Sequence, residues 1–123
     1  YARCGMKLPV RSEHQEQVAV CEWFHLQYPH YRGHLFSIPN GGQRHPAVAG
    51  KLKAEGVIAG VSDLFLMVQR PGCSGLWIEM KTKTGRMSES QKRFQERAKS
   101  QGFEALTCYG FEQARVAIEE YLG

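Results

Sequence analysis

The spacing of apolar residues along the chain switches between helical and strand periods, and turn residues between the runs mark off eight elements. Ser12 reads as an N-cap, with Glu13 in the first turn, where a carboxylate suits the positive end of the helix dipole. The helix it opens runs to about Tyr28 and is stopped by Pro29. Its apolar stripe, Val20 and Phe24 with Cys21 alongside, extends back at i, i+4 spacing through Gln17 to Glu13, which puts a carboxylate in line with a buried face. His34–Ile38 is a short strand, broken by Pro39-Asn40-Gly41-Gly42. Pro46, at a first helical position, opens a helix to about Glu55 that Gly56 closes. Asp63–Val68 is an apolar strand, and the turn Arg70-Pro71-Gly72 leads to its hairpin partner, Leu76–Lys81. Ser88-x-x-Gln91 is a capping-box signature for a helix to about Ser100, with Gly102 past its end. Phe103–Tyr109 is a further strand, and Phe111–Leu122 an amphipathic helix with Phe111, Ala114, Ile118 and Tyr121 on one stripe. The order α-β-α-β-β-α-β-α predicts an α/β fold, a mixed central sheet flanked by helices.

Length and composition fit one such domain and leave little over. The 123 residues are 42% hydrophobic and 23% charged, the balance of a soluble globular protein. Residues 1–11 read as an irregular basic arm, with Pro9 and three positive charges, ahead of a single domain over 12–123. No run approaches the ~18 apolar residues that a transmembrane helix requires, and no charged-then-apolar leader is seen, so a cytoplasmic location away from membranes is expected. Cys4, Cys21, Cys73 and Cys108 lie 17, 52 and 35 residues apart, without a C-x-x-C pair, which argues against structural zinc and for reduced thiols. Cys21 and Cys108 fall in apolar patterns and read as core. Sixteen Lys and Arg against twelve Asp and Glu give a net charge of +4, a mild lean toward anionic partners.

The chemistry gathers on two strands. In Leu76–Lys81, Leu76, Ile78 and Met80 face one side of the sheet and Trp77, Glu79 and Lys81 the other. Taken alone, an E-x-K on a strand is an ordinary solvated face with a weak ion pair. Asp63 changes that reading, because it opens the partner strand and a hairpin register can bring it toward Glu79. Two carboxylates side by side repel and raise each other's pKa unless a cation stands between them. Oxygen ligands in a partly wet site suit Mg²⁺ or Mn²⁺, and an adjacent lysine can offset developing negative charge. The five histidines, at 14, 25, 30, 34 and 45, show no H-x-x-x-H spacing and are assigned to no metal. Ser37, Ser62 and Cys73 lack a recognisable base partner, which disfavours a covalent hydrolase.

Glu13-x-x-x-Gln17, Pro39-Asn40-Gly41-Gly42, Gly60-Val61-Ser62-Asp63, Trp77-Ile78-Glu79-Met80-Lys81, and Gly85-Arg86-Met87-Ser88 with Gln91 follow in this order over about residues 12–110. The set resembles the PD-(D/E)XK nuclease superfamily and, more narrowly, the stand-alone form of the VRR-NUC (virus-type replication-repair nuclease) domain. The resemblance implies a restriction-endonuclease-like core. It implies Asp63 and Glu79 as ligands of Mg²⁺ or Mn²⁺, helped by the main-chain carbonyl of Met80, with no organic cofactor. Lys81 would position the attacking water and offset charge on the scissile phosphate. Glu13 would extend the acidic site directly or through water, with Glu16 as its rival on the same helix. Gln91 would reach the site from the start of its helix, although its capping-box position accounts for it equally well.

Asn40, Gly41 and Gly42 form either a tight turn against a phosphate chain or a plain reversal of direction, and they lack the spacing of a P-loop. Gln43, Arg44 and His45 with Lys51 and Lys53 form one basic patch. Lys83, Arg86, Lys92, Arg93, Arg97 and Lys99 form another, and both suit sequence-independent phosphate contacts. The leading expectation, which the resemblance implies, is a metal-dependent DNA endonuclease, selective for branched DNA in replication or repair and, like Holliday-junction resolvases, acting as a homodimer. The alternative is a nucleic-acid-binding module on a nuclease-like fold without catalysis. A restriction-type enzyme is a third reading, and 123 residues show no appended recognition element for it.

Overall fold

A computed structural model of the protein describes residues 10–39 and 46–123. Residues 1–9 of the expected arm lie outside the described residues, as does the run Asn40, Gly41, Gly42, Gln43, Arg44 and His45. Helix α1 spans Glu13–Gln27 and begins at Ser12, whose side chain accepts from Gln15 N–H while Gln15 returns a bond to Ser12 N–H. This reciprocal cap satisfies two amide donors that an open helix end leaves without partners. After α1, Pro29–Tyr31 forms a 3₁₀ turn that the pattern of apolar residues does not reveal.

Strand β1 (Leu35–Ser37), helix α2 (Pro46–Ala54), strands β2 (Leu64–Leu66) and β3 (Leu76–Lys81), helix α3 (Glu89–Ser100), strand β4 (Glu104–Tyr109) and helix α4 (Phe111–Leu122) complete the chain. The eight expected elements are all present, in the expected order. β1 and β2 are shorter than their apolar runs, yet backbone bonds continue the pairing at both ends, from Met67 N to His34 O (2.7 Å) and from Ile38 N to Asp63 O (2.9 Å). The sheet runs β1-β2-β3-β4: two antiparallel pairings, then β4 parallel to β3. Helix α3 is the crossover that a parallel pair requires.

Leu64 and Leu66 of β2 join Leu76, Ile78 and Met80 of β3 on one face. Val20 and Phe24 of α1 and Ala114 and Ile118 of α4 complete that core, and all nine side chains are fully buried. Each of these but the small Ala114 contributes roughly 1.5–3 kcal/mol relative to exposure. The other face is not the solvated one that strand alternation alone suggests. Phe65 and Trp77 stack across β2 and β3 with ring centroids 4.3 Å apart, and Phe94 of α3 meets Trp77 edge-on at 5.0 Å. Gln95 of α3 donates to Thr107 of β4 at 2.9 Å. With α3 over this face, Glu79 is buried at 2% exposure.

Candidate active site

Register places the two carboxylates. Leu64 pairs with Ile78, so one step further along the same antiparallel ladder sets Asp63 opposite Glu79. The Oδ2 of Asp63 accepts the N–H of Met80 at 2.7 Å, a charge-assisted bond that fixes its side chain. A residue's N–H and C=O lie on the same side of a strand, so the Met80 carbonyl faces the Asp63 side as well. The Oε2 of Glu79 accepts from Gln91 Nε2 at 3.0 Å and lies 3.9 Å from Lys81 Nζ. Its Oε1 is buried and has no hydrogen-bond partner among the described residues.

Burial pushes the Glu79 carboxyl up to about 8, helped by the Asp63 charge, while Lys81 pulls the other way. A carboxylate held in this way, with an oxygen left over, fits a hard divalent cation. Among the described residues no three His, Cys, Asp or Glu side chains close into a ready metal cage. The oxygens on hand are instead two carboxylates and a main-chain carbonyl, which with added water would suit Mg²⁺ or Mn²⁺ rather than zinc.

Glu13 corrects one expectation. It does not lie on a buried face: α1 is fully buried only at Val20 and Phe24, and burial fades to half at Cys21 and Gln17 before Glu13 stands exposed. The reason is that the first turn of α1 runs past the core and overlooks the site. There the Glu13 carboxyl is raised by partial burial and by the Asp63 charge and lowered by Lys81. Glu13 and Gln17 line an open groove of about 670 Å³ with His14, Cys21 and Ser37. Glu16, the rival acid, turns away from the site. Its carboxylate accepts the N–H of Phe111 and pairs with Arg11 at 3.9 Å, so it supplies the anion at the start of α4, where Gly110 offers no side-chain cap.

Gln91 fills both roles that the sequence leaves open. Its Oε1 accepts Ser88 N–H at 2.8 Å and closes the capping box of α3, while its Nε2 donates to Glu79. The start of α3 is itself set against the approach to β2. Gly60 has φ +93°, and a Cβ there would lie 2.4 Å from Ser90 O and 2.9 Å from Gln91 N, which leaves room for glycine alone. Nearby Ser62 is 1% exposed, and its hydroxyl lacks a partner among the described residues.

Of the expected phosphate contacts, Lys83, Arg86 and Lys92 line one open depression of about 670 Å³ together with Thr84, Gly85, Met87 and Tyr109. Lys92 pairs with Glu89 at 3.7 Å. Lys51 and Lys53 stand exposed in the last turn of α2, away from that depression. Arg93, Arg97 and Lys99 are exposed on α3, and the Arg97 guanidinium lies 6.0 Å from the Phe94 ring. Asn40, Gly41, Gly42, Gln43 and Arg44 lie outside the described residues. Tyr109 is the site neighbour that sequence reasoning passed over. An aromatic at a strand end reads as packing, and only its register opposite Lys81 places it beside the site.

Three comparisons bear on this geometry. The VRR-NUC domain profile matches residues 11–112. No curated protein matches. A solved structure described as a VRR_NUC domain protein is similar with a TM-score of 0.82 and 25% identity, covering 94% of this chain and 91% of that one. Another, described as a VRR_NUC domain, has a TM-score of 0.53 and 18% identity over 86% of this chain and 97% of its own, a likeness of fold alone.

Proposed function

The chain belongs to the VRR-NUC family, with the nuclease-like fold that family implies, and from that premise we propose that it is a Mg²⁺- or Mn²⁺-dependent DNA endonuclease acting on branched DNA. The observation that carries the proposal is Glu79: a buried carboxylate set against Asp63, raised to about 8, with one oxygen unpartnered and the other held by Gln91. A purely structural role would leave a buried carboxyl against Asp63 with one polar oxygen unpaired, which is costly.

Asp63, Glu79 and the Met80 carbonyl would hold the cation, with Glu13 reaching it directly or through water. When bound, such an ion lowers the pKa of a coordinated water and offsets charge on phosphoryl oxygens. The chain's own groups do the rest. The Lys81 side chain, only 12% exposed, keeps its ammonium at the carboxylates, where a water-poor setting strengthens its pull on a phosphate oxygen and its hold on the attacking water. Gln91 donates to Glu79 and keeps that carboxylate from rotating away. Lys83, Arg86 and Lys92 neutralise phosphates beside the cut without reading bases. Cutting both strands of a junction in concert needs two such sites, so a homodimer is part of the proposal.

The test is cleavage of a four-way junction, a flap and a blunt duplex by the native chain with Mg²⁺, with Mn²⁺ and with EDTA. Metal-dependent cuts that favour the branched substrates are expected. DNA bound by the native chain and left uncut in every metal would assign the protein to the binding-module class instead.

A further inference from the structure

The depression beside Lys81 holds more than charge. Lys83 and Arg86 have no ion-pair partner among the described residues, whereas Lys92 is paired. Tyr109 closes the same depression. Two other tyrosines of the fold, Tyr28 and Tyr31, sit in ring clusters, and Tyr121 donates its hydroxyl to Val68 O. The Tyr109 ring, half-buried, has neither a ring contact nor a side-chain hydrogen bond among the described residues; its backbone N–H donates to Gln113. It pairs in register with Lys81, so it lies on the face of the sheet that carries Glu79 and Lys81, one strand spacing (about 4.8 Å) away. An aromatic ring with nothing to stack on, beside unpaired cations and in line with a phosphate-cleaving lysine, has the composition of a single-strand platform. Cations take the backbone, and the ring takes a base that is free to leave its helix. A base inside an intact duplex cannot reach it, because its faces are covered by its neighbours.

We propose that Tyr109 stacks an unpaired base next to the scissile phosphate, with Lys83 and Arg86 on the phosphates that flank it, so that the preferred substrate carries an unpaired nucleotide beside the cut. The proposal rests on the nuclease reading and sharpens it. A flap or fork presents such a base directly, and a four-way junction presents one only where pairs open at the branch point.

The experiment measures, in EDTA, the affinity of the native chain for a duplex with a single-stranded overhang and for the same duplex blunt-ended. The fluorescence of a 2-aminopurine at the first unpaired position is followed in parallel. The native chain is expected to favour the overhang and to change the 2-aminopurine signal on binding. Tyr109→Ala should lower the overhang-to-blunt ratio about tenfold, the size of one lost stacking interaction. Tyr109→Phe and Tyr109→Trp, which keep a ring in the fold, should restore it. Lys83→Ala with Arg86→Ala should weaken both substrates alike and flatten the salt dependence. A ratio that Tyr109→Ala leaves unchanged, or a fall that Tyr109→Phe shares, would overturn the stacking proposal. Native protein that cuts neither DNA when Mg²⁺ or Mn²⁺ replaces the EDTA would overturn the nuclease reading beneath it.

Discussion

With no cation beside it, Glu79 keeps its proton at neutral pH, because burial and the Asp63 charge push its carboxyl from an ordinary 4.5 up to about 8. The folded state therefore holds a proton that the unfolded chain has lost. Its contribution to stability is complete below about 4.5 and is lost as pH rises through about 8. Melting temperatures measured in EDTA across that window should fall with pH, and Glu79→Gln, which carries no titrating proton, should remove that part of the slope. A slope that the variant leaves intact would show that Glu79 is not the group responsible. A divalent cation must displace the same proton, so Mn²⁺ binding should tighten as pH rises and release protons in calorimetry. Gln91 divides a second prediction between cap and site. Ser88→Ala removes the hydroxyl of the capping box and should cost about 1 kcal/mol of stability while leaving Gln91 on Glu79. Gln91→Ala removes the cap bond and the donor to a charged group, so cleavage should drop a further tenfold or so relative to Ser88→Ala. Equal activities in the two variants, at equal folded fractions, would reduce Gln91 to a cap.

At the scale of elements, Gly60 carries the most exposed prediction. Gly60→Ala puts a methyl group into the backbone of Ser90 at a positive φ, so the start of α3 must move, and with it the donor to Glu79. Lowered thermal stability and a cleavage loss at least as large as that of Gln91→Ala are expected; full activity would show that α3 yields without disturbing Gln91. How far each element was legible in the sequence depended on whether its signal was local. Ser88-x-x-Gln91 and the Leu76–Lys81 alternation are local, and both map directly onto α3 and β3. The burial of Glu79 is not, because it depends on α3 folding back to lay Phe94 on Trp77, a contact that strand periodicity does not contain. The choice between Glu13 and Glu16 was open for the same reason. Three residues apart on one helix, they separate only when α4 arrives and Phe111 N–H claims Glu16. Asp63 and Glu79 could be matched in advance because a hairpin register is nearly determined by its turn and its apolar face.

At the scale of the molecule, a net charge of +4 understates what DNA would meet. Glu13, Asp63 and Glu79 gather at one end of β3, where a cation would offset them. Lys83, Arg86 and Lys92 stand together beside them, so the approach surface is more positive than the sum of charges suggests. The sheet accounts for this placement: β2 brings Asp63, β3 brings Glu79 and Lys81, and α3 crosses over to supply Gln91 before β4 returns Tyr109 next to Lys81. No helix of the described residues is long and apolar enough to cross a membrane. The central claim is that the Asp63–Glu79 pair is a cation site that powers phosphodiester cleavage. Nicking of supercoiled plasmid DNA across a Mn²⁺ titration, by the native chain and by Asp63→Asn, tests it most directly. The native chain should nick in a saturable, Mn²⁺-dependent way and Asp63→Asn should be silent at every concentration while still binding DNA; nicking that persists in Asp63→Asn, or that needs no metal, would contradict the account.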